Sequence, residues 1–322
     1  MPRPFELAEL LPDVAVGPIR LPRRQAGNSP QDLAVTLLAD YSVHTRAWLP
    51  SAAIVALLAE SGVTAGAART AISRLARRDV LESSRRGRHT SYRLTGSAAA
   101  ALASGGIRIA AFTSDAESWD GHWTLVAFSV PQDGEARRRA LRGRLRWLGY
   151  APLYDALWIS PRRLTDREAG QLADLGAGVL TAFQARALDL DGVPCRDPLD
   201  AWDLPAIAEH YHAFVGRWDA FLPRIRSGRV DGAEAVRART EVMDSYRRFV
   251  VLDPRVPVRL MPENWPRERA REVFATVYDG LAAPALAHVL DVVARLAPGR
   301  WPDITAHTVT DLLAGLPGPA RR

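Results

Sequence analysis

Over residues 31–104 the spacing of apolar positions is first helical and then changes to that of strands. Leu33, Leu37, Leu38 and Tyr41 fall on one side of a helix over residues 31–42. A second helix starts at Ser51, a residue type suited to an N-cap, and its apolar run from Ile54 to Ala59 ends in the turn at Ser61-Gly62. Thr64 is placed to cap a third helix, Ala65 to Arg78, with Val63 and Ala68 as a weak hydrophobic staple. At about 100° per residue, Ala68, Ile72, Leu75 and Ala76 share one face of that helix. The opposite face carries Gly66, Ala67, Thr70, Ser73, Arg74 and Arg77. Val80–Ser83 and Thr90–Leu94 then read as strands of a hairpin that turns at Gly87. Helix, turn, helix and hairpin predict a winged helix-turn-helix over residues 31–104, preceded by a Pro-rich extended arm over residues 1–30. A short Ala-rich helix over Ser97–Ala103 closes this region, and Gly105-Gly106 marks its boundary.

The pattern changes over residues 107–192. Trp123–Val130 predicts a strand, Glu135–Leu148 a helix with Leu141, Leu145 and Leu148 on one side, and Tyr150–Ser160 two short strands or one bent strand. Thr165–Leu175 predicts a helix and Val179–Ala187 a strand, so the order β-α-β-β-α-β is that of a ferredoxin-like α/β domain. Residues 197–316 read as a helical C-terminal domain for effector binding and dimerisation. Its long patterns run over 204–225, 233–251 and 265–295, with Pro284 breaking the last. The fold class expected is α+β, in three domains.

Charge adds a partner to this outline. From residue 63 to 95 there are eight arginines (69, 74, 77, 78, 85, 86, 88 and 93) against Asp79 and Glu82, a balance equal to the +6 of the whole chain. A basic footprint confined to one motif suits phosphate binding, in which each contact releases condensed counterions. All 42 basic residues are arginine, so the choice of Arg over Lys says nothing at any one position. Thr70 and Arg74 are the expected base contacts, with Ser73 beside them and Thr64 at the helix start. Arg69, Arg77, Arg85, Arg86, Arg88 and His89 are expected on phosphates or in a minor groove. A second basic run, Arg137, Arg138, Arg139, Arg142, Arg144 and Arg146, surrounds its helix except for the Leu stripe. It reads as a solvated face, with a DNA-backbone or partner contact as the alternative.

No apolar run approaches the roughly 18 residues of a membrane span, and the first residues lack a signal-peptide layout. The single Cys195 cannot form an internal disulfide, which fits a cytoplasmic protein. No nucleophile elbow, zinc-protease, phosphate-loop or paired-cysteine motif is present, so neither an enzyme nor a cofactor is expected. Two other readings stay open. One is a metal-dependent nuclease working through the ferredoxin-like domain, with Asp120 or Asp155 as metal ligand. The other is a winged helix used for protein contacts alone.

Three stretches carry a resemblance: Ala68 to Arg77 with Val80-Leu81; Arg86-Gly-Arg88 with Tyr92 to Thr95; and a C-terminal string. That string comprises Arg239-Thr240, Tyr246-Arg-Arg-Phe249, Leu252-Asp-Pro254, Pro257, Leu260-Met-Pro262, Trp265 and Ala282-Ala-Pro284-Ala285. Over residues 30–295 the chain resembles the PaaX-type regulators, repressors that control phenylacetate breakdown. The resemblance implies a dimeric repressor on an inverted-repeat operator, released by an acyl-coenzyme A effector such as phenylacetyl-coenzyme A. Beside it stands a physical reading of the same string. Arg239, Arg247 and Arg248 offer cations to phosphates, and Trp218, Tyr246, Phe249 and Trp265 offer aromatic walls to an acyl group. The alternative is that the aromatics are core and the arginines satisfy helix ends and Asp253.

Overall fold

The computed structural model describes residues 29–87, 89–112, 119–131, 134–173, 179–188, 192, 194–253, 255–297 and 299–315. It is an α+β protein with helical regions toward both ends and two small antiparallel sheets. Helix α1 (Pro30–Ser42) is capped by Ser29, whose hydroxyl accepts from the Asp32 amide at 3.1 Å. Strand β1 (Leu49–Pro50) leads directly into α2 (Ser51–Glu60). Pro50 holds the N-cap position, so Ser51 is the first helical residue and not the cap expected from sequence. The chain leaves the sheet too abruptly for a capping side chain, because Pro50 is itself paired with Ser91. After α3 (Ala65–Arg77), β2 (Leu81–Arg86) and β3 (His89–Leu94) form the hairpin, longer than the pattern predicts, and β1 adds a third strand in the order β1-β3-β2.

Helix α4 (Gly96–Ala110) passes straight through Gly105-Gly106, which the sequence reading made a boundary. The reason is packing. A Cβ at Gly106 would stand 3.0 Å from Leu312 Cδ2, so the glycine admits a neighbouring helix instead of ending its own.

Strand β4 (Trp123–Ser129), α5 (Glu135–Trp147), β5 (Ala151–Tyr154), β6 (Leu157–Ser160), α6 (Asp166–Ala173) and β7 (Val179–Ala185) follow. The sheet order is β5-β6-β4-β7, with Leu125 opposite Ile159 and Phe183. Val126 and Phe128 from β4, the Leu141, Leu145 and Leu148 stripe of α5, Trp158 and Leu172 form its core. The remaining helices are α7 (Leu204–Asp219), α8 (Leu222–Arg226), α9 (Gly232–Tyr246), α10 (Phe249–Leu252), α11 (Arg267–Gly280), α12 (Ala282–Leu296) and α13 (Val309–Ala314). The break between α11 and α12 falls at Leu281. Pro284 lies in the first turn of α12, where its missing N–H leaves no helical bond unmade. No single described helix is long and apolar enough to cross a membrane.

By contact the chain forms two compact units that do not follow chain order. Of the described residues, one unit takes 29–112, 214–247 and 269–315, and the other takes 119–213 and 248–268. Within the first, α9 and α12 pack on α1 and α2, and α13 packs on α4. Helices α1, α2 and α4 therefore share their core with C-terminal helices. The contact between α9 and α12 is close at Gly232, where a Cβ would stand 2.6 Å from His288 Cβ. His288 cannot yield easily, since its Nε2 bonds Glu60 at 2.9 Å. Gly232→Ala is expected to destabilise the fold by about 1–3 kcal/mol, read as a lower urea midpoint with an unchanged m-value.

The same unit buries a polar cluster. Arg239 is fully buried, lies 3.7 Å from the Tyr278 ring centroid, and donates to the carbonyls of Tyr278 and His307. The Tyr278 hydroxyl donates to Asp40 Oδ1 at 2.8 Å. Burial raises the Asp40 carboxyl to about 6, against the pull of Arg239. Burial also lowers His307 to about 4, with the stacked ring of His44 at 4.3 Å adding to the shift.

Candidate nucleic-acid interface

Helix α3 is the element best built for a groove. Its buried face is Ala68, Ala71, Ile72 and Leu75; Ala76, expected inward, is only half-buried. The i, i+3, i+4, i+7 set spans the same arc of about 100° as the one expected from sequence, turned by about 40° so that Ala71 replaces Ala76. Thr64, Gly66, Arg69, Thr70, Ser73, Arg74, Arg77 and Arg78 are all exposed. Thr64 Oγ1 accepts from the Ala67 amide at 3.3 Å and starts the helix. Gly62 makes the preceding turn at φ +81°, a left-handed conformation that side chains disfavour. Small residues and donors thus stand outward on a helix whose apolar side is fixed.

The hairpin supplies a second basic surface. Gly87 turns it at φ +60°, and Arg85 Nε donates to the Gly87 carbonyl at 3.2 Å. Arg86 and His89 are paired across the ladder and both exposed. Arg88 lies outside the described residues, as does the arm up to residue 28. Arg93, counted in the basic footprint, is structural. Its Nε donates to Glu82 at 2.9 Å and its guanidinium lies 4.4 Å from the Trp48 ring centroid. Glu82 is also paired with Arg46. Glu82 stands directly opposite Arg93 in the hairpin, whereas Arg46 and Trp48 come from the segment before α2. Among the described residues, Arg69, Arg74, Arg77, Arg78 and Arg86 have no acidic partner.

The seven residues expected for an effector fall in both units. Trp218, Arg239, Tyr246 and Arg247 belong to the first unit; Arg248, Phe249 and Trp265 belong to the second. In the first, Tyr246 stacks on Phe274 at 4.1 Å, and Trp218 meets Phe221 edge-on at 5.9 Å. Arg247 is buried, paired with Asp244, and reaches Thr36 Oγ1 at 3.5 Å. The donors of Arg239 go to two carbonyls. In the second unit Phe249 stacks on Tyr211 at 4.0 Å, Trp265 packs edge-on against Tyr211 at 6.1 Å, and Arg248 is exposed. Most of these groups are therefore core residues. The residue that meets Asp253 is Arg267, which the sequence reading did not single out. It makes two bonds, at 2.6 and 2.7 Å.

In the second unit the arginine run of α5 is occupied locally. Arg138 donates to the Val130 carbonyl at 3.0 Å, Arg142 to that of Asp155 at 3.3 Å, and Arg139 pairs with Glu135 at 3.3 Å. Arg163 at 2.7 Å and the His122 amide at 2.9 Å hold the Asp120 carboxylate well below its usual range. Asp155 lies in the β5–β6 turn, at the other end of the sheet by the β4–β6 register. Among the described residues no three His, Cys, Asp or Glu side chains converge as metal ligands.

Comparison with known proteins gives three family matches. They are PaaX-like protein over residues 29–98, the PaaX protein central Cas2-like domain over 116–193, and the PaaX-like protein C-terminal domain over 202–291. The transcriptional repressor PaaX of Escherichia coli (strain K12) is 28% identical over 248 residues, which are 75% of this chain and 76% of that protein. Among solved structures, the uncharacterized protein Rv0674 from Mycobacterium tuberculosis is similar with a TM-score of 0.55 at 20% identity. The match covers 81% of this chain and 99% of that one, and it is a likeness of fold.

Proposed function

This chain belongs to the PaaX family of regulators, and from that premise we propose how it meets DNA and how it lets go. It is a transcriptional repressor and not an enzyme. Residues 31–104 act as a winged helix-turn-helix, with α3 in the major groove and the β2–β3 hairpin as the wing. The central β-α-β-β-α-β segment is ferredoxin-like. The observation that carries the reading is the outward face of α3: Thr70, Ser73, Arg74 and Arg77 are exposed and without acidic partners, on a helix locked from behind by Ala68, Ile72 and Leu75. Thr70 and Arg74 meet base edges; Arg69, Arg77, Arg85, Arg86 and His89 meet phosphates.

Two copies on an inverted repeat put two such helices in successive major grooves, about 34 Å or a multiple apart. Edge strand β7 supports self-association, since Val179 and Phe183 are 71% and 52% exposed beside an unpaired backbone edge. An acyl-coenzyme A effector releases the dimer by binding better to an arrangement that misses the operator spacing. Of the expected cations for its phosphates, Arg248 is the exposed one.

Arg74→Ala is expected to lose about 1–3 kcal/mol of operator binding and to relax base preference. Arg86→Ala is expected to weaken all duplexes alike and to lower the salt slope by about one. Gel-shift titrations at several salt concentrations, with operator and scrambled duplexes, measure both. Unchanged affinity in both variants overturns the interface. For the effector, phenylacetyl-coenzyme A is expected to raise the melting temperature where coenzyme A alone does not.

A further inference from the structure

The wing has a neighbour that the family matches, which end at residue 291, leave out. The segment after α12, residues 297 and 299–304, runs beside the hairpin. The two enclose a cleft of about 360 Å³, lined by Trp48, Ser84, Arg86, His89, Arg300 and Trp301 among others. The segment is held in place. Thr45 Oγ1 donates to the Asp303 carbonyl at 2.6 Å, the Thr305 amide to the Tyr41 carbonyl at 3.2 Å, and the Trp301 indole to the Ala297 carbonyl at 3.2 Å. Gly299 turns the chain at φ +144°, and Arg300 emerges exposed and without an acidic partner among the described residues. Asp303 is the one acid among the lining residues, against Arg86, His89 and Arg300.

We propose that Arg300 and the loop that carries it extend the wing into a cradle for the phosphodiester backbone of duplex DNA. The inference rests on the DNA-binding reading above. Arg86 and Arg300 line opposite walls of one cleft, so successive phosphates of a strand entering it meet cations from both sides. The indoles of Trp48 and Trp301 give the deoxyribose carbons an apolar surface, and Ser84 and Ser91 add hydroxyl donors. The contact carries no base information. It fixes the register of α3 by clamping the backbone next to the wing.

The experiment uses the full chain and a fluorescein-labelled random-sequence duplex of about 30 base pairs, a length that spans successive major grooves. Anisotropy titrations from low to moderate salt compare the wild type with Arg300→Ala, Arg86→Ala and Arg295→Ala. Arg295 is an exposed arginine of α12 paired with Asp291 at 3.1 Å and away from the cleft, so its variant controls for net charge. The expected result is a salt slope lowered by about 0.9 and several-fold weaker binding for Arg300→Ala, with Arg295→Ala unchanged. Wild-type behaviour in Arg300→Ala, with Arg86→Ala weakened, overturns the cradle and leaves the wing intact. Equal losses in Arg300→Ala and Arg295→Ala overturn it as well, because they report net charge alone. No salt-dependent binding by any of the four overturns the DNA reading itself.

Discussion

Arg267→Ala is expected to destabilise the protein by about 3–5 kcal/mol, among the largest effects of any single substitution here. The Asp253 side chain is completely buried, and four donors hold it: Arg267 Nε and Nη2, the Tyr211 hydroxyl at 2.8 Å and the Arg255 amide at 2.7 Å. Burial works against the Arg267 charge, and Asp253 more than restores it. Removing the guanidinium strands a carboxylate away from water and frees the Val256 carbonyl, which Arg267 also binds at 3.1 Å. Asp253→Asn is expected to cost less, because the amide keeps an acceptor for Tyr211. Urea unfolding of the two single variants and their double measures the coupling. A loss below 1 kcal/mol for Arg267→Ala shows that water reaches the site and that the pair is not structural.

This ion pair also shows where sequence reasoning stopped. The string from Tyr246 to Trp265 was legible as a family resemblance, and Asp253 was singled out, but its partner was sought among Arg239, Arg247 and Arg248. Arg247 and Arg248 lie nearer in sequence, and Arg239 lies as far before Asp253 as Arg267 lies after it, yet burial assigns Arg239 to carbonyls and Arg247 to Asp244. No periodicity reveals which of several arginines a buried carboxylate selects. The outward face of α3 was legible because a helix with one apolar stripe declares its outside residue by residue. Gly106 was misread because a glycine that ends a helix and a glycine that admits Leu312 look alike in one dimension. Arg93 was misread for the converse reason, its partners Glu82 and Trp48 being brought together only by the fold.

The second large effect is a pair of opposed pH dependences. Asp40, ordinarily near 3.8, stands at about 6 in the folded protein, so the fold prefers it protonated. Its contribution is complete below its ordinary value and is lost as pH rises through 6. His307, ordinarily near 6.5, stands at about 4, so the fold prefers it neutral. That contribution is complete above its ordinary value and is lost as pH falls through 4. Each shift of roughly two units corresponds to about 3 kcal/mol, and between pH 4 and 6 the two act in opposite directions. The wild-type stability profile is therefore expected to be flatter there than either group alone would make it. Asp40→Asn, which keeps an acceptor for Tyr278, should lose stability steeply on acidification. His307→Asn should gain stability over the same range. Urea midpoints at pH 4.5, 5.5 and 7 decide the matter, and three parallel profiles would falsify the assignment.

The interleaving of the first unit has a consequence for the making of this protein. Helices α1, α2 and α4 are synthesised within the first 110 residues, but the helices that cover their apolar sides, α9, α12 and α13, span 232–314. A nascent chain carries α1, α2 and α4 outside the ribosome well before the helices that cover them, and early-emerging segments fold as units only when their core is complete. Until α13 emerges, the groove at Gly106 that takes Leu312 stays unfilled. A chain truncated before residue 309 is therefore expected to lack a finished core in this unit.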